Sequence, residues 1–293
     1  HRQLPDRLRG QRGVRAGRGE VAAGAGVGAD LDAEAGRRRV LLDDDVPITD
    51  VGGVDVEAEE AHVRREAAAA RKVSSPFVIR IHDLGEARPG LLYLSMEYFA
   101  GRTLSEVISQ RGIVPLEDAC DILRQIGAGL EAAHQAGVIH RDLKPSNVLV
   151  GERGAVKLID FGLATTGFGD GLTATGAILG TPHYMAPEQV RGKAIDARTD
   201  IYALGALTYH LVTGRPPFVG DIPVSVAYQH VREQAPRPSS FDADLPPEID
   251  AIVMQALAKR VEDRDQSAAA MTEDIDRYLA ELPVQAPPVA AEW

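Results

Sequence analysis

The sequence predicts an α+β fold, with short strands before residue 100 and again around residues 138–159, and helices over most of residues 184–282. Three patterns carry this prediction. Phe77-Val78-Ile79-Arg80-Ile81 and Leu91-Leu92-Tyr93-Leu94-Ser95-Met96-Glu97 are strand-like runs with a Gly85–Gly90 turn region between them. After Pro115, apolar residues recur with the period of an amphipathic helix. Beyond residue 184 the pattern is helical almost throughout.

In chain order, Ala61 to Val73 is Ala-rich and charged, a good helix by propensity. The two strands follow. Pro115 sits where a helix start tolerates proline, and Glu117 and Asp118 in the first turn suit the helix dipole. Ala119, Ile122, Leu123, Ile126, Leu130 and Ala133 share one face, and Gly137 ends the helix. Val138-Ile139 and Val148-Leu149-Val150 read as short strands flanking a polar loop. Val156 to Ile159 reads as another, leading into Asp160. The segment from Pro283 to Trp293 is proline-rich and reads as a tail or the start of a linker.

The 293 residues are 44% hydrophobic and 26% charged, which suffices for one large domain or two lobes with real cores. A formal charge of −11 argues against broad electrostatic binding to nucleic acid or acidic membrane. Cys120 is the single cysteine, so there is no disulfide framework and no thiolate metal cluster, as in a reducing compartment. No apolar run reaches the roughly 18–20 residues that span a bilayer. With His1 first and no signal-peptide pattern, the chain is expected to be a fragment of a longer protein or a processed one.

Composition breaks near residue 70. Residues 1–71 hold twelve Arg and no Lys, and the first aromatic residue is Phe77. Apart from runs such as Val40-Leu41-Leu42 there is little periodicity. Three readings stand: divergent structure that packs without aromatics, a disordered extension, or an out-of-frame translation of a GC-rich gene.

The chemistry-bearing stretch is His140-Arg141-Asp142-Leu143-Lys144-Pro145-Ser146-Asn147, followed by Asp160-Phe161-Gly162 and Ala186-Pro187-Glu188. A single such motif would pass for a polar turn between strands. All three in this order resemble the signature set of protein kinases. Residues 63–282 resemble in particular the bacterial-type, eukaryotic-like serine/threonine kinase domain. Lys144, and Gly180 to Glu188, are the Ser/Thr-type features. The resemblance implies a bilobal kinase-like fold with a small β-rich N-lobe, atypical here, and a larger, mainly helical C-lobe. It divides the chain into an anomalous segment 1–62 in place of the first N-lobe strands, N-lobe 63–99, C-lobe 100–282 and tail 283–293.

It also implies site residues. Asp142 orients the substrate hydroxyl or accepts its proton, and Lys144 neutralises the phosphoryl group in flight. Asn147 and Asp160 ligate the metal, since Mg²⁺ prefers hard oxygen ligands. Thr181 would hydrogen-bond Asp142 and Lys144. Backbone groups of Glu97 and Phe99 would pair with the adenine edge, with Met96 as gatekeeper and Leu149 beneath the ring; the plainer reading of Met96 and Leu149 is core. Asp200 would brace the catalytic loop, and Glu188 and Arg264 would pair to anchor the peptide-binding segment. Asp160 to Glu188 would be the activation loop, with Thr173 and Thr175 as autophosphorylation sites, Thr165 and Thr166 as weaker ones, and Arg141 as the clamp for the new phosphate. The implied cofactors are ATP and Mg²⁺, with Mn²⁺ as a substitute. The implied partners are proteins bearing Ser/Thr and a second copy for trans-autophosphorylation. The implied location is the cytoplasm, whether alone or as the cytoplasmic domain of a longer, membrane-anchored protein.

The resemblance is incomplete at the start. Glu66 matches the helix glutamate that pairs with a strand lysine, but no lysine precedes Lys72. Arg37, Arg38 and Arg39 bring charge, yet arginine does not substitute freely for a point-charge lysine. Gly24-Ala25-Gly26-Val27-Gly28-Ala29 and Gly17-Arg18-Gly19-Glu20-Val21 both miss the G-x-G-x-x-G spacing. Two hypotheses therefore remain: a serine/threonine kinase, impaired in this literal chain, or a pseudokinase-type binding module. A small-molecule phosphotransferase is a distant third, because the Ala186-Pro187-Glu188 segment would have no peptide to bind.

Overall fold

The computed structural model describes residues 27–32, 37–42, 64–88, 91–161 and 182–289. Two short strands, β1 (Val27–Asp32) and β2 (Arg37–Leu42), precede a helix over residues 64–70 (α1). Next come β3 (Ile81–Arg88) and β4 (Leu91–Glu97), and the four strands form one antiparallel sheet in the order β1-β2-β4-β3. Beyond the sheet lie β5 (Gly101–Thr103), α2 (Leu104–Arg111) and the long α3 (Leu116–Gln135). Strands β6 (Val148–Gly151) and β7 (Val156–Leu158) join β5 in a second antiparallel sheet. The rest is helical: α4 (Pro187–Val190), α5 (Ala197–Thr213), α6 (Pro223–Arg232), α7 (Pro247–Ala256) and α8 (Ala268–Leu279). This small-sheets-then-helices order is the expected α+β arrangement.

Local chemistry sets the helix ends. Thr103 caps α2 in a reciprocal box with Glu106, and Asp196 and Ser267 cap α5 and α8 by accepting from Arg198 N and Ala270 N. Gly214 closes α5 in the left-handed conformation at φ 72°. The six apolar residues predicted on one face of α3 are all buried. Helix α5 is buried almost all round, from Thr199 to Val212, and forms the centre of the core with α3, α7 and α8 around it. Gly205 is what lets α7 approach: a Cβ there would lie 2.6 Å from the Cβ of Ala256. No described helix is long and apolar enough to cross a membrane.

Three sequence expectations are corrected. Residues 77–80 are not part of the sheet strand, which runs instead from Ile81 to Arg88. Val78 makes a parallel bridge to Leu158, with Leu158 N donating to Phe77 O (2.8 Å) and Ile79 N donating to Leu158 O (2.9 Å), so this segment ties α1 to β7. Gly85 is no turn residue: it lies inside β3, where the Tyr93 ring crosses it and any Cβ would come within 2.5 Å of that ring. Val138-Ile139 form no strand; Val138 N bonds back to Ala133 O, and the amides of His140 and Arg141 go to a side chain described below. The proline-rich segment starts in close contact with α8, because Asp274 accepts from Gln285 N (2.6 Å) and Ala286 N (2.7 Å) and Ala286 is buried in the core.

Candidate active site

The polar loop after α3 is held by one buried carboxylate. Asp200, in the first turn of α5 and 1% exposed, accepts from His140 N (2.8 Å), Arg141 N (2.9 Å) and His134 Nε2 (2.7 Å). The grip fixes Arg141 at φ 67°, a left-handed conformation that costs a non-glycine residue about 1–3 kcal/mol and persists only where surroundings impose it. The reach from α5 to this loop is the bracing role expected of Asp200.

The strained turn presents Asp142. Its Oδ2 lies 2.7 Å from Lys144 Nζ and accepts from Asn147 Nδ2 (3.1 Å), which also donates to Asp142 O (2.8 Å). Both neighbours of the Asn147 amino group are acceptors, so the network itself orients the amide and leaves Oδ1 as the atom for another partner. Ile159 N donates to Asn147 O (3.0 Å), which joins this loop to the segment carrying Asp160. Asp160 is itself left-handed, at φ 59°, and Phe161 beyond it is buried against the His140 ring at 4.5 Å. The structure thus brings Asp142, Lys144, Asn147 and Asp160 to one place. Thr181, and Thr165, Thr166, Thr173 and Thr175, lie outside the described residues, as do Gly17 to Val21, Gly24 to Gly26 and all of the tail beyond residue 289.

Around this core sit the residues expected near a nucleotide. Met96 lines a cavity with Ala70, Val78, Ile79, Ile81, Leu94, Asp160 and Phe161, which places it between α1 and the Asp160 segment rather than in closed core. Leu149, in β6, is paired with Thr103 and Lys157. The Phe99 ring packs where a Cβ on Gly101 or Gly151 would come within 3.0 Å or 2.6 Å of it, so both glycines are needed to seat the connection after β4. Glu97 ends β4. Its amide already donates to Arg80 O (2.8 Å), and its carboxylate accepts from Lys157 Nζ (2.8 Å) and Arg80 N (3.2 Å). Burial raises the Glu97 carboxyl, but the Lys157 ammonium and the Arg80 amide outweigh it and hold it below the ordinary value.

The helix glutamate has found a different cation. Glu66 Oε1 lies 2.6 Å from Arg141 Nη1, so the arginine expected to clamp an activation-loop phosphate is in an ion pair with α1. Gln189 Nε2 donates to Arg141 O (2.8 Å), tying α4 to the same residue. On the far side, Arg264 makes a two-pronged pair with Glu188 (2.8 Å and 2.8 Å), and Thr199 Oγ1 adds a third bond (2.9 Å). The pair expected between Glu188 and Arg264 is therefore present and buried.

Sequence reasoning missed Lys157, His134, Gln189 and Thr199. Lys157 had a readable signal: in β7 its neighbours Val156 and Leu158 are buried, and alternation sends the lysine to the other face. The other three belong to helices whose neighbours only the fold supplies.

As for a metal, no cluster of three His, Cys, Asp or Glu occurs among the described residues. The fit is to a smaller set: the Asn147 amide oxygen and the Asp160 carboxylate are hard oxygen donors of the kind Mg²⁺ takes while keeping several waters.

A family profile described as protein kinase domain matches residues 53–274. The chain is 42% identical over 234 residues to the serine/threonine-protein kinase PknB of Mycolicibacterium smegmatis, covering 78% of this chain and 37% of that protein. It is 45% identical over 234 residues to a probable serine/threonine-protein kinase of Streptomyces coelicolor (78% and 34%) and 43% identical over 223 residues to a probable PknB of Corynebacterium glutamicum (73% and 34%). The chain thus spans roughly a third of the length of these curated relatives.

Proposed function

The chain belongs to the protein kinase family, on the side of the bacterial serine/threonine kinases, and from that membership we propose that it transfers the γ-phosphoryl group of ATP to serine or threonine hydroxyls of proteins. The family uses ATP and a divalent metal on protein substrates. The observation that carries the reading is the Asp142–Lys144–Asn147 cluster, held by Asp200 and joined to the Asp160 segment through Asn147 O.

Each residue has a task. Asp142 orients the incoming hydroxyl and takes its proton. Lys144, already beside that carboxylate, sets a positive charge where the phosphoryl group passes. Asn147 Oδ1 and the Asp160 carboxylate would hold Mg²⁺, with Mn²⁺ as a substitute. Such a cation, when bound, neutralises charge on the phosphates. The half-buried Phe99 and Leu149 flank the adenine, with Met96 behind it. With its amide committed to Arg80, Glu97 offers only its carbonyl to the adenine edge. We also propose autophosphorylation between two copies at Thr173 or Thr175 with Thr181 aligning the peptide, a cytoplasmic site of action because ATP is there, and no nucleic-acid partner given the charge of −11.

One observation favours a second reading. Glu66 is paired with Arg141, and no lysine precedes Lys72 to take its place. A pseudokinase-type binding module fits that arrangement, as does a kinase chain inactivated by an out-of-frame start. Transfer of labelled phosphate from Mg-ATP to a Ser/Thr substrate separates the readings: transfer supports the kinase, and nucleotide binding without transfer supports the module.

A further inference from the structure

Arg141, the residue before Asp142, is held from three sides. Its amide donates to Asp200 on α5 (2.9 Å), its guanidinium pairs with Glu66 on α1 (2.6 Å), and its carbonyl accepts from Gln189 Nε2 on α4 (2.8 Å). The third contact bears most directly on the chemistry. The Arg141 carbonyl and the Asp142 amide belong to one planar peptide unit, so a bond that fixes the oxygen also fixes the plane from which Asp142 departs. That plane follows a residue at φ 67°, a conformation that persists only while its surroundings impose it. The other end of the same side-chain amide belongs to the peptide-binding segment, where Gln189 Oε1 accepts from Ala186 N (3.0 Å). With a donor on one side and an acceptor on the other, the network itself settles which amide atom is which.

The bond to Ala186 alone has an ordinary explanation. Gln189 is the third residue of α4, and a side chain there commonly reaches back to the amide that opens the helix. Glutamate does this as well as glutamine, and its charge suits a helix start better. An ionised glutamate cannot donate, however, and only a donor satisfies Arg141 O, 48 residues away in sequence. We infer that Gln189 is a positioning residue for phosphoryl transfer: its amide ties the peptide plane that carries Asp142 to the segment that seats the substrate peptide, so that base and hydroxyl are set as one unit. The inference rests on the proposed kinase reading and adds to it a residue outside the three signature motifs. The charged side chains at this joint are paired among themselves, Arg141 with Glu66, Asp142 with Lys144 and Glu188 with Arg264, and the join itself is made by a neutral amide.

The test compares the whole chain with Gln189→Glu and Gln189→Leu, in transfer from Mg-ATP to a Ser/Thr peptide and in hydrogen exchange of the stretch that holds His140 and Arg141. Gln189→Leu should lower kcat by about 10- to 100-fold with the KM for ATP unchanged, as when a reacting group is displaced without loss of nucleotide contacts. Gln189→Glu should be as slow at neutral pH and should approach the wild-type rate at the same pH as the medium becomes acid. The protonated carboxyl then regains a donor for Arg141 O while its other oxygen keeps Ala186 N. The ratio of Gln189→Leu to wild type should stay flat across pH. At neutral pH the His140 and Arg141 amides should exchange about tenfold faster in both variants than in the wild type. A Gln189→Glu chain as active as wild type at neutral pH overturns the inference, since capping α4 is then all the side chain does. Losses in both variants that share one pH-independent ratio overturn it too, as the mark of lost packing alone. A wild-type chain that transfers no label refutes the kinase reading instead, and the exchange then decides by itself: faster exchange in the variants keeps Gln189 as the anchor of the turn, and unchanged exchange overturns it.

Discussion

Replacing Glu188 with Gln tests the frame behind the peptide-binding segment. The Arg264 side chain is 0% exposed and that of Glu188 8%, so each depends on the other for its charge. Glu188 accepts two bonds from Arg264 and one from Thr199, and Arg264 also donates to Arg198 O and Ala258 O. Glu188→Gln keeps the volume but leaves a guanidinium buried without its counter-ion, a change that costs about 3–5 kcal/mol. Arg264→Met in the same chain removes the orphaned charge, so the double variant should be more stable than the sum of single losses predicts, with a coupling of about 2 kcal/mol. Burial raises the Glu188 carboxyl, but Arg264 and Thr199 hold it below its ordinary 4.5. A depressed native value means that the stabilisation is complete above pH 4.5 and is lost as pH falls through the native value, so the gap between wild type and Glu188→Gln should close in acid. Urea unfolding of the single and double variants at neutral and acid pH measures all of this. A cost below about 1 kcal/mol at neutral pH, or a gap that does not change in acid, would mean that the buried Arg264 charge does not depend on Glu188.

Two further perturbations read other parts of the fold. Asp265 is pushed up from 3.8 to about 6 by burial and by the neighbouring Asp274 carboxylate, so native stability falls as pH rises between those values. Asp265→Asn should therefore stabilise the chain at neutral pH by up to roughly 3 kcal/mol, with the gain gone near pH 4, as followed by urea midpoints. Gly205→Ala pushes a methyl group to 2.6 Å from the Ala256 Cβ and should cost about 1–3 kcal/mol, while adding Ala256→Gly should recover part of that loss in thermal unfolding.

Where side-chain chemistry is local, the sequence was legible. The face of α3 from Ala119 to Ala133 and the run of the catalytic loop follow patterns that a chain shows before it folds, whereas the Glu188–Arg264 pair, far apart in sequence, was expected only from the family resemblance. Misreadings arose where a distant residue decides the outcome. Gly85 looks like a turn because the Tyr93 ring that requires it lies on the next strand. Val138-Ile139 looks like a strand because the carboxylate that takes the next two amides is Asp200, some sixty residues on. Arg141 looked free for a phosphate because nothing local shows that Glu66 would reach it in place of a lysine.

The proposed function stands or falls with phosphate transfer by the Asp142 cluster. The most direct measurement is incorporation of label from Mg-ATP into the chain itself and into an added Ser/Thr protein, beside Asp142→Asn. The wild-type chain should transfer label, and transfer should fall by several orders of magnitude in the variant and be abolished by chelating the metal. A folded wild-type chain that binds nucleotide but transfers no more label than Asp142→Asn would contradict it.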